Sequence, residues 1–151
     1  MNNRKLWFLA SLAVFITALV LLFTGSPILD RSMSKTANIP WGTLITWLGM
    51  ISSPLSVLLG IKNFRRPGNS FQKYLSLSLK TLILLALLWA PICYLLAGNI
   101  AFNFSGTEGF QGGQTAMKWF WRYSYGIPIL SIVLLVIFWL TRIVGYLRRN
   151  L

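Results

Sequence analysis

The chain has 151 residues, of which 56% are hydrophobic, 14 are basic, two are acidic and none is histidine. A soluble protein of this length could not bury so much apolar sequence, so we expect one compact unit in a membrane. The lack of histidine, with both acids (Asp30 and Glu108) outside the apolar stretches, excludes haem ligation by histidine, carboxylate-pair metal sites, Ser-His-Asp catalysis and intramembrane proton relays. The single cysteine, Cys93, excludes disulfides and cysteine metal sites. We therefore expect no cofactor and no enzymatic activity.

Four apolar stretches follow one another along the chain. They cover residues 6–23, 41–61, 75–97 and 123–146. Each is close to the ~20 residues that a helix needs to cross a hydrocarbon core about 30 Å thick. We predict an all-α membrane protein, a single domain over residues 1–151 built as a bundle of four transmembrane helices. The first stretch is too long for the apolar region of a signal peptide and lacks a small-residue cleavage site, so we expect it to be retained.

The basic residues are distributed unevenly between the two sides of this arrangement. Ten lie on one side, at Arg4, Lys5, Lys62, Arg65, Arg66, Lys73, Lys80, Arg142, Arg148 and Arg149, and four on the other, at Arg31, Lys35, Lys118 and Arg122. Because short cytoplasmic loops are enriched in lysine and arginine, both termini and the 62–74 loop are predicted to be cytoplasmic. We expect an integral protein of the bacterial cytoplasmic (inner) membrane.

The net charge of +12 would suggest nucleic acid as the partner of a soluble protein. Beside the ends of membrane spans, each lysine or arginine instead gains about 1 kcal/mol from anionic headgroups, and tryptophans at this level form an interfacial belt. We therefore predict anionic phospholipids, and no nucleic acid, as partners. The predicted headgroup residues are Lys62, Arg65, Arg66, Trp119, Trp121, Arg122, Arg148 and Arg149.

Small residues recur at helical spacing in the first three spans. The second span carries Gly42, Thr46, Gly49, Ser53, Ser56 and Gly60, the third carries Ala86, Ala90, Cys93 and Ala97, and the first carries Ala10, Ala13 and Thr17. Helices associate in membranes by close van der Waals fit, which small side chains permit. These stripes predict that spans one to three pack tightly, with a left-handed crossing near +20° along the second span, and they allow a homo-oligomer.

The second and third predicted spans each contain a proline, Pro54 in the second and Pro91 in the third. Each removes an amide donor and is expected to kink its helix. The kinks can be structural. Alternatively, Ser52, Ser53 and Pro54 form a break that exposes polar backbone to an ion or solute in mid-membrane.

The loop between spans two and three contains a helix start signal. Asn69 is predicted to cap a helix that begins near Ser70, with Gln72 reaching back to Asn69. Spans two and three then form an antiparallel hairpin.

The outer loop, residues 98–118, combines five glycines with apolar side chains. Phe102, Phe104 and Phe110 are predicted either to anchor in the membrane interface or to bind a partner protein. The fourth span is bulky nearly all round and offers no stripe of small residues. Whether it faces lipid or a partner subunit is open.

Two function classes fit these features. The first is a non-enzymatic accessory or regulatory subunit that docks onto other membrane protein subunits through apolar helix faces and the phenylalanine-rich outer loop. The second is a small oligomeric channel or transporter that uses the Ser52-Ser53-Pro54 break. A Ser-Lys pair at Ser76 and Lys80 is disfavoured as a catalytic dyad, because a lysine there is expected to extend to the headgroups. We expect the accessory subunit.

Overall fold

The computed structural model describes residues 3–33, 39–97 and 113–150, and this part of the chain is helical without a named strand. The helices are α1 (Asn3–Thr24), α2 (Trp41–Gly60), α3 (Lys62–Arg65), α4 (Ser70–Leu87), α5 (Trp89–Ala97) and α6 (Gly113–Asn150). The all-α prediction is therefore confirmed for the described residues.

Three of these helices are long and apolar enough to cross a membrane. They are α1, α2 and the Lys118–Arg148 part of α6. Helices α4 and α5 pass the same test together, but they are bent by 54° at the break between them. The described part of the chain thus has three membrane-competent helices, or four if the bent pair forms one span, as expected of an integral membrane protein.

Helix α6 is longer than the predicted fourth span. It has 38 residues and begins at Gly113, so residues 113–118 are helical rather than part of the outer loop. Residues 114–118 contain neither glycine nor proline, so nothing in their sequence interrupts a helix. At 1.5 Å per residue, α6 is about 57 Å long, nearly twice the thickness of a hydrocarbon core.

Helices α1 and α2 form an antiparallel pair. Gly49 lies against Ala18, and Gly60 lies against the ring of Phe8. The connection folds back on itself, where the Met33 amide donates to the Ile39 carbonyl at 2.9 Å. Leu29, within this connection, is only 2% exposed. The Leu29 carbonyl accepts a hydrogen bond from the amide of Gly42 at 2.9 Å, which fixes the start of α2.

The start of α4 agrees with the sequence. The helix begins at Ser70, and the Asn69 side chain accepts a hydrogen bond from the amide of Gln72 at 2.8 Å. The Gln72 side chain reaches past Asn69, because its Oε1 accepts from the amide of Gly68 at 2.9 Å and from the amide group of Asn63 at 3.3 Å. The cap and the helix start are confirmed, and Gln72 additionally ties the turn to α3.

Two clusters of buried apolar side chains form the core. The tryptophan cluster comprises Met50, Leu82, Ala86, Trp89, Cys93, Phe120 and Ile127. The Phe64 cluster comprises Phe64, Leu75, Leu79 and Phe138. Helices α2, α4 and α6 contribute to the packing of both clusters, so the clusters mark two ends of one bundle.

Helix α6 lies in the bundle, where it packs against α2, α4 and α5. Its buried residues are Phe120, Ser124, Ile127, Ser131 and Phe138, at spacings of four, three, four and seven residues, which place them on one face of the helix. The expectation that this span has no small residues on a packing face is wrong, because Ser124 and Ser131 are both buried. In the sequence these two serines stand among large residues, so they did not form a recognisable stripe of small residues.

Helix α1 is peripheral and packs mainly on α2. Its buried residues are Ser11 and Ala18, whereas the predicted stripe of Ala10, Ala13 and Thr17 is exposed. The prediction that this stripe packs inside the bundle is wrong. In a helix that is apolar on every side, composition alone does not tell which face is covered.

Candidate functional site

The small residues of α2 occupy its most closely packed face. Gly42, Gly49, Ser53 and Ser56 are buried, Thr46 is half-buried and Gly60 is exposed. A Cβ added at Gly49 would lie 2.6 Å from the Cβ of Ala18, and one at Gly60 would lie 2.9 Å from the Phe8 ring. At these two positions, glycine permits the close approach of α1.

Two buried serines of the α1–α2 pair hydrogen-bond within their own helices. Ser56 donates to the carbonyl of Ser53 at 2.8 Å, and Ser11 donates to the carbonyl of Phe8 at 3.0 Å. By contrast, the hydroxyl of Thr46 is buried and has no hydrogen-bond partner. Ser11 and Ser56 therefore occupy little volume, and their hydroxyl groups already have an acceptor.

The predicted Ser52-Ser53-Pro54 break lies inside a continuous helix. Helix α2 runs from Trp41 to Gly60, with Pro54 in its interior, and all three residues of the motif are buried.

The third predicted span is broken at Leu88, between α4 and α5. The break lies three residues before Pro91, whose missing amide leaves the Leu87 carbonyl without its usual partner. Hydrogen bonds from Leu88 to Leu84 and from Ile92 to Leu88, each of 3.0 Å, carry the helical pattern across the bend. The proline kink predicted from the sequence thus takes the form of a 54° bend.

Side chains from two other helices bind the backbone at this bend. The indole nitrogen of Trp47 in α2 donates to the carbonyl of Ala86 at 2.9 Å, and the hydroxyl of Tyr123 in α6 donates to the carbonyl of Leu85. Both carbonyls belong to the last turn of α4. The bend is therefore held by α2 on one side and by α6 on the other.

Trp89 completes this arrangement at the first residue of α5. Its side chain is 1% exposed, and its indole nitrogen donates to the hydroxyl of Ser124 at 2.9 Å. Tryptophans in membrane helices commonly mark a helix end at the membrane surface, but Trp89 does not. It instead fills the centre of the tryptophan cluster, because Ser124 satisfies its only donor. The sequence signal was weak, since a buried serine on α6 had to be recognised first.

The predicted stripe on the third span lies across the bend. Ala86 and Cys93 are fully buried, Ala90 is half-buried, and the side chain of Ala97 lies outside the described residues. Ala86 and Cys93 belong to the tryptophan cluster, where the small side chains leave room for the large rings beside them.

Ser76 and Lys80 have different surroundings. Ser76 is buried and its hydroxyl donates to the carbonyl of Phe64, whereas Lys80 is exposed. Ser76 ties α4 to α3.

The predicted headgroup residues lie mostly on the surface. Lys62, Arg66, Trp119, Trp121, Arg122 and Arg148 are exposed and Arg65 is half-buried, while the side chain of Arg149 lies outside the described residues. The Arg122 guanidinium lies 5.3 Å from the centroid of the Trp119 ring, and the rings of Trp121 and Tyr125 are stacked at 5.3 Å. The predicted partner-binding residues Phe102, Phe104 and Phe110 also lie outside the described part of the chain.

Among the described residues, no group of three or more histidine, cysteine, aspartate or glutamate side chains is placed to hold a metal ion. Comparison with known proteins gives no match: no family model, no curated protein and no solved structure is similar to this chain. The function must therefore be argued from the helices and their surfaces.

Proposed function

We propose that the protein is an accessory or regulatory subunit of a larger membrane protein complex, without an enzymatic role. It docks through apolar helix faces and through Phe102, Phe104 and Phe110 of the outer loop. Other membrane protein subunits and anionic phospholipids are its partners.

The observation that carries this proposal is the uncovered small-residue face of α1. Ala10, Ala13 and Thr17 are exposed, whereas Ser11 and Ala18 of the same helix are buried. At about 100° per residue, Ala13 lies on the opposite side of α1 from these two buried residues, and Ala10 and Thr17 lie about a quarter to a third of a turn away from them. Small residues on a membrane helix allow another helix to approach closely. A second helix from a partner therefore fits the face that this chain leaves open.

The packing of α2 supports docking over transport. A permeation pathway past Ser52, Ser53 and Pro54 requires polar groups that line a water-filled space. These residues are instead buried within the bundle, and the Ser53 carbonyl is already bonded to Ser56.

In the proposed topology, the bent α4–α5 pair counts as one span, both termini are cytoplasmic, and the protein lies in the bacterial inner membrane. Two contacts support it. Phe8 near the start of α1 lies against Gly60, and Phe138 in the last third of α6 packs on Phe64 of α3 with ring centroids 4.8 Å apart. The two termini thus approach the same end of the bundle, where most of the basic residues lie.

The test is co-purification in mild detergent. We expect Ala13→Leu to release the partner, because the larger side chain holds the docking helix away, and replacement of Phe102, Phe104 and Phe110 by serine to do the same. Both variants should keep the melting temperature of the isolated protein. A matched control is Ile16→Phe, which adds three carbons at an exposed position of α1 outside the stripe.

Reconstitution of the purified chain in liposomes separates docking from transport. An accessory subunit alone should move no ion or solute. Robust flux from the isolated chain that changes with Ser52→Ala or Ser53→Ala, together with unchanged co-purification of Ala13→Leu, would reject the accessory role.

A further inference from the structure

Three arginines meet at the end of the bundle that contains Phe64. Arg65 is the last residue of α3 and Arg66 follows it, while Arg4 lies in the first turn of α1. Arg4 and Arg66 are close enough for their charges to act on Arg65. The cluster therefore joins two segments, because the Phe8–Gly60 contact brings the start of α1 next to the end of α2.

Among the described residues, no acid lies near enough to neutralise these charges. The one acid in this part of the chain, Asp30, follows the far end of α1, which is about 30 Å long between Arg4 and Thr24 at 1.5 Å per residue. The described residues therefore supply no counter-ion for the three arginines, and an external anion can take that place.

One nitrogen of the Arg65 side chain has no hydrogen-bond acceptor. Its side chain is half-buried, and its Nε atom is fully buried with no hydrogen-bond partner. Burial, and then the charges of Arg4 and Arg66, lower the pKa of the Arg65 guanidinium. A buried donor without an acceptor is costly, and more so when the donor is charged. Binding of an anion between the arginines offsets their repulsion, and the anion satisfies Nε once the Arg65 side chain turns to expose that atom.

We propose that Arg4, Arg65 and Arg66 form a binding site for one phosphate group, supplied by the headgroup of an anionic phospholipid. Phosphate is the matching chemistry, because its oxygens accept the parallel N–H donors of a guanidinium in pairs. The lipid is the source because exposed apolar side chains, Leu6 and Trp7, lie two and three residues after Arg4 on α1 and supply a surface for acyl chains. The site rests on the proposed topology only in that this end faces the anionic leaflet.

The experiment uses the full purified chain in an uncharged detergent, which requires neither a partner nor an orientation. Thermal unfolding is followed while phosphatidylglycerol, phosphatidylcholine, glycerol phosphate or inorganic phosphate is added. Phosphatidylglycerol should raise the melting temperature saturably, and phosphatidylcholine should not. Arg4→Gln and Arg65→Gln should weaken the apparent affinity for phosphatidylglycerol at least tenfold. Arg65→Lys should lose most of the effect, since lysine keeps the charge but lacks Nε.

Two controls separate a site from general charge attraction. Lys73→Gln removes an exposed charge from the same end of the bundle, and Arg31→Gln removes an exposed arginine elsewhere. Each should change the affinity less than twofold. Equal weakening in all four glutamine variants would overturn the site.

Measurements without lipid keep the test valid if a variant is unstable. Arg4 is exposed, so Arg4→Gln should fold and should melt at the same or a higher temperature than the unmodified chain without lipid, because it removes repulsion from Arg65. The same variant should melt at a lower temperature with lipid. A drop in both conditions contradicts the site. Protection by glycerol phosphate at the same concentrations as phosphatidylglycerol would overturn the lipid as the source.

Discussion

Helices α1 and α2 form one closely packed pair, yet they differ in how much of each is covered. The buried share of the apolar stretch is 11% in α1 and 44% in α2. The difference arises because α2 contacts α1 on one face and α4 and α6 elsewhere, while α1 packs mainly on α2. Helix α2 is thus the centre of the bundle and α1 its edge.

In a membrane protein, the most apolar helix is not necessarily the most buried one. Helix α1 is more apolar than α2, with a mean hydropathy of 2.6 against 1.5 in its most apolar stretch, but it is less buried. Lipid covers large apolar side chains as well as protein does, so the central helix is instead the one rich in glycine and serine.

The contact of α1 with α2 at Gly49 should be the most sensitive to a larger side chain. Gly49→Leu places a Cβ that would lie 2.6 Å from the Cβ of Ala18, and neither atom can rotate away from its backbone. The helices must move apart, so we expect a loss of about 1–3 kcal/mol in the free energy of unfolding. Unfolding in mixed detergent micelles measures it.

The control for this variant is the adjacent residue Leu48, which is 44% exposed. Leu48→Phe also enlarges a side chain on α2, but away from the packed face, and should change stability by less than about 0.5 kcal/mol. If both variants lose the same stability, the glycine is not required by the α1–α2 contact.

The bend between α4 and α5 offers a test of the central helices. Tyr123→Phe removes the hydroxyl that donates to the Leu85 carbonyl and leaves the ring in place. We expect a loss of about 0.5–1.5 kcal/mol, because α6 then holds the bend less firmly. Tyr125→Phe makes the same chemical change at a side chain that is 59% exposed, and it should be neutral. Equal losses would contradict a role for Tyr123 at the bend.

Much of the architecture could be read from the sequence. The apolar stretches located α1, α2 and α6, and Asn69 correctly marked the start of α4. These features are local, since span length follows from hydrophobicity and the cap from one side chain with the amide three residues on. Pro91 indicated a distortion of the third span for the same reason, because the missing amide is a property of the residue itself.

The contacts between helices were harder to predict from the sequence. Ala13 resembled a packing residue but is exposed, whereas Ser131 was passed over but is fully buried. Which face of an apolar helix meets protein depends on its neighbours, and lipid satisfies the other faces equally well. The hydrogen bonds of Trp47 and Trp89 were missed for the same reason. The first joins residues that are 39 positions apart in the sequence, and the second joins residues that are 35 positions apart.

The smallest expected effect lies at the other end of the α1–α2 pair. A Cβ added at Gly60 would lie 2.9 Å from the Phe8 ring, and the atom it meets is the far end of a side chain that can turn. The movement of the Phe8 ring costs little free energy. Alanine also has a better helix propensity than glycine, by about 0.5–1 kcal/mol in a helix interior and less at Gly60, the last residue of α2, and this gain offsets the cost. Gly60→Ala should therefore change the free energy of unfolding by less than about 0.5 kcal/mol.

Gly126 provides the matched comparison, because a Cβ there meets nothing within 4 Å. Gly126→Ala in the interior of α6 should raise stability by up to about 1 kcal/mol, since only the propensity difference acts. The order of stability should be Gly126→Ala, then Gly60→Ala, then Gly49→Ala, which combines the shortest contact with the least movable neighbour. If Gly60→Ala is as damaging as Gly49→Ala, the start of α1 is held as rigidly as its middle, and α1 is not the loosely covered edge of the bundle.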